Sequence, residues 1–483
     1  MLDVLWIDLC SGLPDSLADY PSNLARDCIV AALRDAGFSL FLVTPEKVLL
    51  AVQSEPKILL FSATTPEWPQ AVSIASQVRS VSPQSILVVG GHHVSALPYG
   101  IGTEFFDYVV VGEGEESIVD IVNLRKKRNF SLQHTSKPQI IRAKRIRYLD
   151  MLSTPLRDPD EIRKNRLRGL MFPAPSTQTG AAALLLSRGC NNQCTFCASH
   201  LVWGSELITR SAESASLEIR SVVDELRCNA LVFVDQAFGE DKNWTKEICS
   251  RLQSFRLGER ARWYCMAKTS LDIALLNDMA SAGCSKIGFG VETADPQMRK
   301  AIKHEIGDNL ESLNRLFRAC NELGIMVKIY FMIGFPWETR EYLMETTRNF
   351  LEKIRANELK ISFFTPFPKT LDWERYKTQL MIHDWADFDT VRMPVVHNPE
   401  ISVPEYHEIR KELFRAFYGA AIYADVTRKI IRAYPEYAVS FRDFADYLHK
   451  AGIIENNEAW LDKAHQEQAW NASSRREIGT TCS

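Results

Sequence analysis

Cys190, Cys194 and Cys197 stand in the run Leu184 to Ser199, LLLSRGCNNQCTFCAS, spaced C-x3-C-x2-C with Phe196 before the last. Three soft thiolates so close together, on a loop leaving an apolar strand (Ala183–Leu186), favour an iron–sulfur cluster or a tetrahedral metal. A four-iron cubane takes four ligands, and this run supplies three. One iron is then left open, and an open metal position is a place for chemistry. Two other readings fit these residues taken alone. His200, three positions after Cys197, would complete a Cys3His zinc site. The Cys194/Cys197 pair by itself reads as a thioredoxin-like redox couple.

Such a loop needs a scaffold, and residues 181–375 alternate strand and helix patterns. Apolar strands are expected at Ala183–Leu186, Ala230–Val234, Trp263–Met266, Lys286–Phe289, Val327–Met332 and Ile361–Phe364. Amphipathic stretches such as Ala215–Leu226 and Leu310–Leu323 fill the gaps at helical spacing. Six such units predict a partial (β/α)6 barrel with its active site at the carboxyl ends of the strands. The cysteine loop, directly after the first strand, would open on that face.

Residues 1–125 repeat the alternation. Strands are expected at Val4–Ile7, Leu40–Val43, Ile58–Phe61, Ile86–Val89 and Tyr108–Val111, with helices at Asn23–Ala36 and Gln70–Ser80. This predicts a Rossmann-like, doubly wound parallel sheet whose post-strand loops bind ligands. Those loops hold Ser62, Thr64 and Thr65; Gly90, Gly91, His92 and His93; and Gly112, Glu113 and Gly114. Glycine there allows close approach and positive φ.

The cysteine run matches the cluster motif of the radical S-adenosylmethionine (radical SAM) superfamily, and the later strand ends fit the same resemblance. In that family the open iron is chelated by the amino and carboxylate groups of SAM. The resemblance implies cluster ligation by Cys190, Cys194 and Cys197, with Phe196 near the adenine. VFVDQAF places Asp235 and Gln236 where the SAM amino group is held. IGFGVET places Gly290 and Glu292, with Gly288 before them, where relatives contact the ribose and amino acid moiety. FMIGFPWET places Gly334, Phe335 and Pro336 in an adenine-binding segment. Lys268 stands where relatives often carry arginine, keeping the charge for the SAM carboxylate without the bidentate fork. TPFPKT resembles a Pro-Gly-Thr turn closing the sixth strand, with Lys369 in place of glycine.

ILVVGGHHVSALP and FDYVVVGEGEESIVDIV resemble the cobalamin (B12)-binding domain that precedes many radical SAM barrels. That implies cobalamin contacts from Ser62, Thr64, Thr65, Gly90, Gly91, His93, Gly112, Glu113 and Gly114. The Asp-x-His-x-x-Gly motif supplying an axial histidine elsewhere is absent. After the first strand the chain reads Asp8 to Pro14, DLCSGLP, so cobalamin would bind without a protein imidazole.

The resemblance implies a [4Fe–4S] cluster, SAM and cobalamin as cofactors, and a 5′-deoxyadenosyl radical that takes hydrogen from a small-molecule substrate. Methyl transfer from methylcobalamin to carbon would follow. The alternative is a non-methylating radical reaction, such as cyclisation, ring contraction or heteroatom insertion, on the same scaffold. A non-catalytic cobalamin or metal carrier would not need the SAM-contact pattern. The electron donor would be a flavodoxin or ferredoxin.

Composition is consistent with this class. A net charge of −3 over 483 residues gives no reason to expect nucleic acid or an anionic membrane. Of the eleven cysteines, most sit singly in apolar segments, which suits a reducing compartment and a cytoplasmic enzyme. No basic n-region leads an apolar stretch at the N-terminus, and no apolar run reaches the roughly 18 residues of a spanning helix. Residues 126–180, proline-bearing and mixed, are expected to be a linker whose basic run at Arg125–Arg128 is solvated. Residues 376–483 are expected to be mainly helical (Pro404 to about Ile431, then Phe441–Ala451), capping the barrel, with Tyr418 a possible hydrogen donor or acceptor and a disordered tail from Ala472 that holds Cys482.

Overall fold

The computed structural model describes residues 4–9, 23–53, 57–127, 137–164, 179–303, 308–450 and 452–454. The loop after the first strand, part of the basic run, Pro173, Pro175 and the tail from Ala472 lie outside them.

The first sheet contains β1 (Val4–Ile7), β2 (Leu40–Val43), β3 (Ile58–Ser62), β4 (Ile86–Gly90), β5 (Tyr108–Val111) and β6 (Gln139–Arg142). All pairings are parallel, in the order β2-β1-β3-β4-β5-β6. The inner strands are apolar on both faces because both faces are covered. Helices Leu24–Asp35 and Glu115–Lys127 pack on one face against Trp6, Leu60 and Val88. Helix Trp68–Val81 packs on the other, against Leu59, Phe61 and Val89. The winding reverses between β1 and β3, and a crevice opens at the carboxyl end of such a switch.

β6 falls in the segment read as linker. It is an edge strand, Gln-Ile-Ile-Arg, with exposed ends and half-buried middle residues, so it carries none of the burial signature that marks β3 or β4.

The second sheet begins with β7 (Ala181–Leu184). A short antiparallel pair, β8 (Ser187–Arg188) and β9 (Ile208–Thr209), follows and closes the base of the cysteine loop. Then come β10 (Ala230–Phe233), β11 (Arg262–Ala267), β12 (Cys284–Glu292), β13 (Met326–Ile333) and β14 (Glu358–Phe363). The parallel order β14-β13-β12-β11-β10-β7 follows the chain, as in a sector of a β/α barrel. In β12, Ile287, Phe289 and Val291 join the large core beneath the outer helices, whereas Lys286, Gly288 and Gly290 alternate onto the opposite, inward face.

The C-terminal helix expected from Pro404 to about Ile431 is two helices, Val403–Tyr418 and Ala421–Ala433. Ala420 between them is extended (φ −70°, ψ 140°), which breaks the ladder. Tyr418 is buried in the outer core, and its hydroxyl accepts the Leu359 N–H at 3.1 Å. It is therefore a packing residue outside the barrel, not a group facing its interior. The segment nearest the cysteine loop is instead 371–396, which packs Trp373, Phe388 and Val395 around Phe196, Phe335 and Phe364.

No helix among the described residues is long and apolar enough to cross a membrane.

Candidate active site

The cysteine loop is fixed from beneath before it reaches its thiols. Asp235, fully buried after β10, accepts hydrogen bonds from the Ser187 hydroxyl and, at 3.5 Å, the Leu186 N–H. Burial pushes its carboxyl up to about 6, against the lowering effect of those bonds. Gly189 follows with φ +91°, where any Cβ would strike the Glu206 carbonyl. Its N–H donates to Gln236 Oε1 at 3.1 Å.

The three thiols are half-buried. Asn192 Nδ2 lies 3.9 Å from Cys194 Sγ, and Ser199 Oγ lies 3.1 Å from Cys197 Sγ. Between them Thr195 is buried: its N–H donates to the Ile302 carbonyl at 2.7 Å and its hydroxyl to Asp372 at 2.7 Å. Burial raises the Cys190 thiol, opposed in part by the Asn192 N–H and the Lys268 ammonium. No three of the described His, Cys, Asp or Glu side chains converge as ligands of a single metal ion would. His200 is exposed at the start of a short helix, His200–Trp203.

The remaining strand ends gather around this loop. Lys268 Nζ lies 2.6 Å from Glu240 Oε2 and donates to Asn192 Oδ1 at 3.0 Å, so the cation is tied to the loop itself. Gly290 accepts Lys303 Nζ at 2.8 Å through its carbonyl. Glu292 takes φ +66° where the β12–β13 register slips, an unusual conformation for a residue with a side chain. Gly334, at φ +96°, opens the Gly334-Phe335-Pro336 turn.

Glu338, which the sequence reading passed over, holds that turn. Its Oε2 accepts the N–H groups of Gly334 (2.7 Å) and Phe335 (3.1 Å). Its position four residues after Gly334 was the available signal, since a short turn can place a carboxylate back on its own amides. Burial raises its carboxyl to about 8. Asn398 and Tyr406 brace the same turn, with Asn398 Nδ2 donating to the carbonyls of Phe335 (3.2 Å) and Glu338 (2.9 Å).

A cavity of about 230 Å³ opens at the carboxyl ends of the first sheet. Ser62, Gly90, Gly91, Gly112, Glu113 and Gly114 line it, together with Leu185, Arg188 and Gln236 from the barrel. Gly91 has φ +97°, and a Cβ there would lie 2.7 Å from the Ala63 carbonyl oxygen. Three expected contacts do not line the cavity. Thr64 is exposed and bonds Glu67 through both its N–H and its hydroxyl. Thr65 is buried elsewhere. His93 is stacked on Trp68 at 4.7 Å with Trp385 edge-on at 5.2 Å, and burial drops its imidazole to about 4. His92 lines the cavity in its place. A doublet at a helix start sends its two side chains in different directions, and the sequence does not say which faces the ligand.

Residues 184–350 match the family model for the radical SAM superfamily, and residues 15–122 match the B12 binding domain. The chain is a radical SAM enzyme with a B12-binding domain. An uncharacterized methyltransferase of Pyrococcus horikoshii is 25% identical over 382 residues, covering 75% of this chain and 79% of that protein. An anaerobic magnesium-protoporphyrin IX monomethyl ester cyclase of Cereibacter sphaeroides is 24% identical over 406 residues, covering 80% of this chain and 63% of that protein. Among solved structures, the radical SAM methyltransferase TsrM of Kitasatospora setae, with cobalamin and a [4Fe–4S] cluster bound, superposes with TM-score 0.64 at 15% identity. That superposition covers 97% of this chain and all of the other, and it shows a shared fold.

The family models assign a [4Fe–4S] cluster and SAM to the barrel of this radical SAM enzyme, and cobalamin to its N-terminal domain. The residues present fit both assignments: three half-buried thiols on an anchored loop, and an apolar cavity behind glycine turns, with no room for a Cβ at Gly91. At about 230 Å³ the cavity would hold only part of a group as large as a corrinoid.

Proposed function

We propose that the enzyme methylates a carbon of a small-molecule substrate, using cobalamin as methyl carrier. The observation that carries this reading is the shared cavity. Loops at the carboxyl end of the first sheet (Gly90, Gly91, Gly112) and residues flanking the cluster loop (Arg188, Gln236) face one space. When bound, the reduced cluster supplies the electron that splits SAM into methionine and a 5′-deoxyadenosyl radical, and cobalamin supplies a transferable methyl group.

The chain's own part is to bind, orient and exclude water. Cys190, Cys194 and Cys197 would hold three irons. Lys268 offers a cation beside the loop for the SAM carboxylate, and the Gly334-Phe335-Pro336 turn, braced by Glu338, offers backbone groups to the adenine. Asp235 is better read as an anchor for the loop than as a SAM contact, because its carboxylate already serves Ser187 and Leu186. Gln236 keeps a place at the cavity wall while holding Gly189. Ser62, Glu113, Gly114 and His92 are proposed to border the cobalamin. The electron donor is proposed to be a flavodoxin or ferredoxin.

A second reading keeps the radical step without methyl transfer. It is favoured by the similarity to a cyclase along 80% of the chain. Anaerobic assays with dithionite separate the cases. Release of 5′-deoxyadenosine establishes radical chemistry, and a product heavier than substrate by one methylene establishes methylation. Deoxyadenosine with a product of unchanged carbon count would overturn the methyl transfer and leave the second reading standing.

A further inference from the structure

A buried ion pair between the two domains is made by a residue two positions ahead of the first cluster cysteine. Arg188 donates through Nη1 to Glu113 Oε2 at 2.6 Å and through Nη2 to Glu115 Oε1 at 2.5 Å. All three side chains are at least nine-tenths buried. The guanidinium also lies over the Trp203 ring, 4.9 Å from its centroid. Glu113 and Glu115 belong to the glycine turn after β5 that borders the cavity. Arg145, arriving from β6, pairs with the other oxygen of Glu113 and donates to the Arg188 carbonyl at 3.0 Å.

The far side of the cluster loop is held to the same domain. After Cys197 the helix His200–Trp203 packs on helix His92–Ala96, and the Val202 carbonyl lies against Gly112. The loop is therefore bracketed: residue 188 before the cysteines and residues 200–203 after them both rest on the turns that line the cavity. Burying a guanidinium and two carboxylates is costly unless geometry and hydrogen bonding are good. A bond of this cost placed at this point does more than join two domains. It ties the Rossmann-like domain to a point two residues from Cys190.

We propose that Arg188 is a positioning residue that fixes the separation and facing of the cluster and cobalamin sites. The proposal rests on the function proposed above. It adds that the register between the two cofactors is set by one two-pronged contact from the cluster loop to Glu113 and Glu115. Lysine is no substitute, because an ammonium cannot present two parallel donors to two carboxylates.

The test uses the full chain reconstituted anaerobically with iron, sulfide and cobalamin. Arg188→Met, Arg188→Lys and Glu115→Ala are compared with the parent. Three quantities are read: iron and corrin content, enhancement of the cob(II)alamin electron-spin relaxation by the reduced cluster, and the rate at which SAM methylates the corrin. With the register lost, Arg188→Met keeps iron and corrin, shifts the relaxation enhancement measurably from the parent's, and methylates the corrin on the order of 100-fold more slowly, as expected for a misplacement of about 1 Å. Arg188→Lys falls between. A merely structural role would instead lower iron, corrin and melting temperature together, with the relaxation of the surviving holoenzyme unchanged. That pattern, or parent-like relaxation and methylation in Arg188→Met, overturns the proposal. If Arg188→Met does not fold, Glu115→Ala, which removes one prong, decides on the same readouts. A parent protein that takes up no iron or no corrin counts against the proposed function itself, before any variant is made.

Discussion

Tyr264 on β11 and Tyr330 on β13 reach across the strand between them and join hydroxyls directly above Gly288. The contact exists because β12 offers no side chain there. A Cβ on Gly288 would lie 2.7 Å from the Tyr264 hydroxyl and 2.8 Å from Tyr330 Cε2.

Gly288→Ala should therefore separate the two tyrosines and destabilise the barrel by about 1–3 kcal/mol, the usual cost of overpacking. Urea unfolding of parent and variant, with equal m-values, measures it. A variant as stable as the parent would mean that the tyrosine pair gives way freely.

The cysteine loop is held by Asp235, Thr195 and Gly189 and does not depend on its thiols for shape. A Cys190/Cys194/Cys197 triple alanine variant should keep the parent's far-ultraviolet circular dichroism and lose all of roughly four irons per chain. Retained iron, or zinc found in its place after anaerobic reconstitution, would count against the cluster.

Glu338 should make stability depend on pH. Its folded pKa, about 8, lies above the ordinary value of 4.5. The folded state then binds the extra proton across that interval, so the contribution is present below about 4.5 and is lost as pH rises toward 8. Glu338→Gln keeps an acceptor oxygen for Gly334 and Phe335 and should flatten the profile between pH 5 and 8. Thermal melts across that range check it, and parallel profiles for the two proteins would refute the assignment.

Lys369 occupies φ +67°, a conformation that suits glycine. Left-handed backbone costs a residue with a Cβ about 1–2 kcal/mol, partly offset by the flexibility glycine adds to the unfolded chain. Lys369→Gly should raise stability by up to about 1 kcal/mol, read as a shift in the denaturation midpoint. A lowered midpoint would show that the lysine side chain matters more than its backbone.

Most of the architecture was legible because it is periodic. Val4–Ile7, Leu40–Val43 and Tyr108–Val111 lie where their apolar runs predict, and the barrel strands agree within a few residues. The cluster loop was legible because its chemistry is compressed into eight positions. β6 was not, since an edge strand needs no apolar alternation. Arg188 was not, because its partners are some seventy residues away and nothing local marks the pairing. The same holds for Asp235, whose position suggested a ligand contact, whereas its hydrogen bonds tie it to Ser187 and Leu186. Sequence shows which residue types are at hand near a strand end. Which of them are already engaged by the protein is settled by long-range contacts.

The stack of Trp68, His93 and Trp385 joins the first domain to a segment nearly three hundred residues further along the chain. A ribosome adding about 5–20 residues per second reaches Trp385 roughly 15–60 s after His93. Through that interval the indole and imidazole of the nascent first domain lack their last neighbour. The chain closes on itself like a clasp, and the clasp is fastened only after the last barrel strand has been made. Fragments that end before Trp385 should show this as a first domain more easily cut by protease than the same domain within the whole chain.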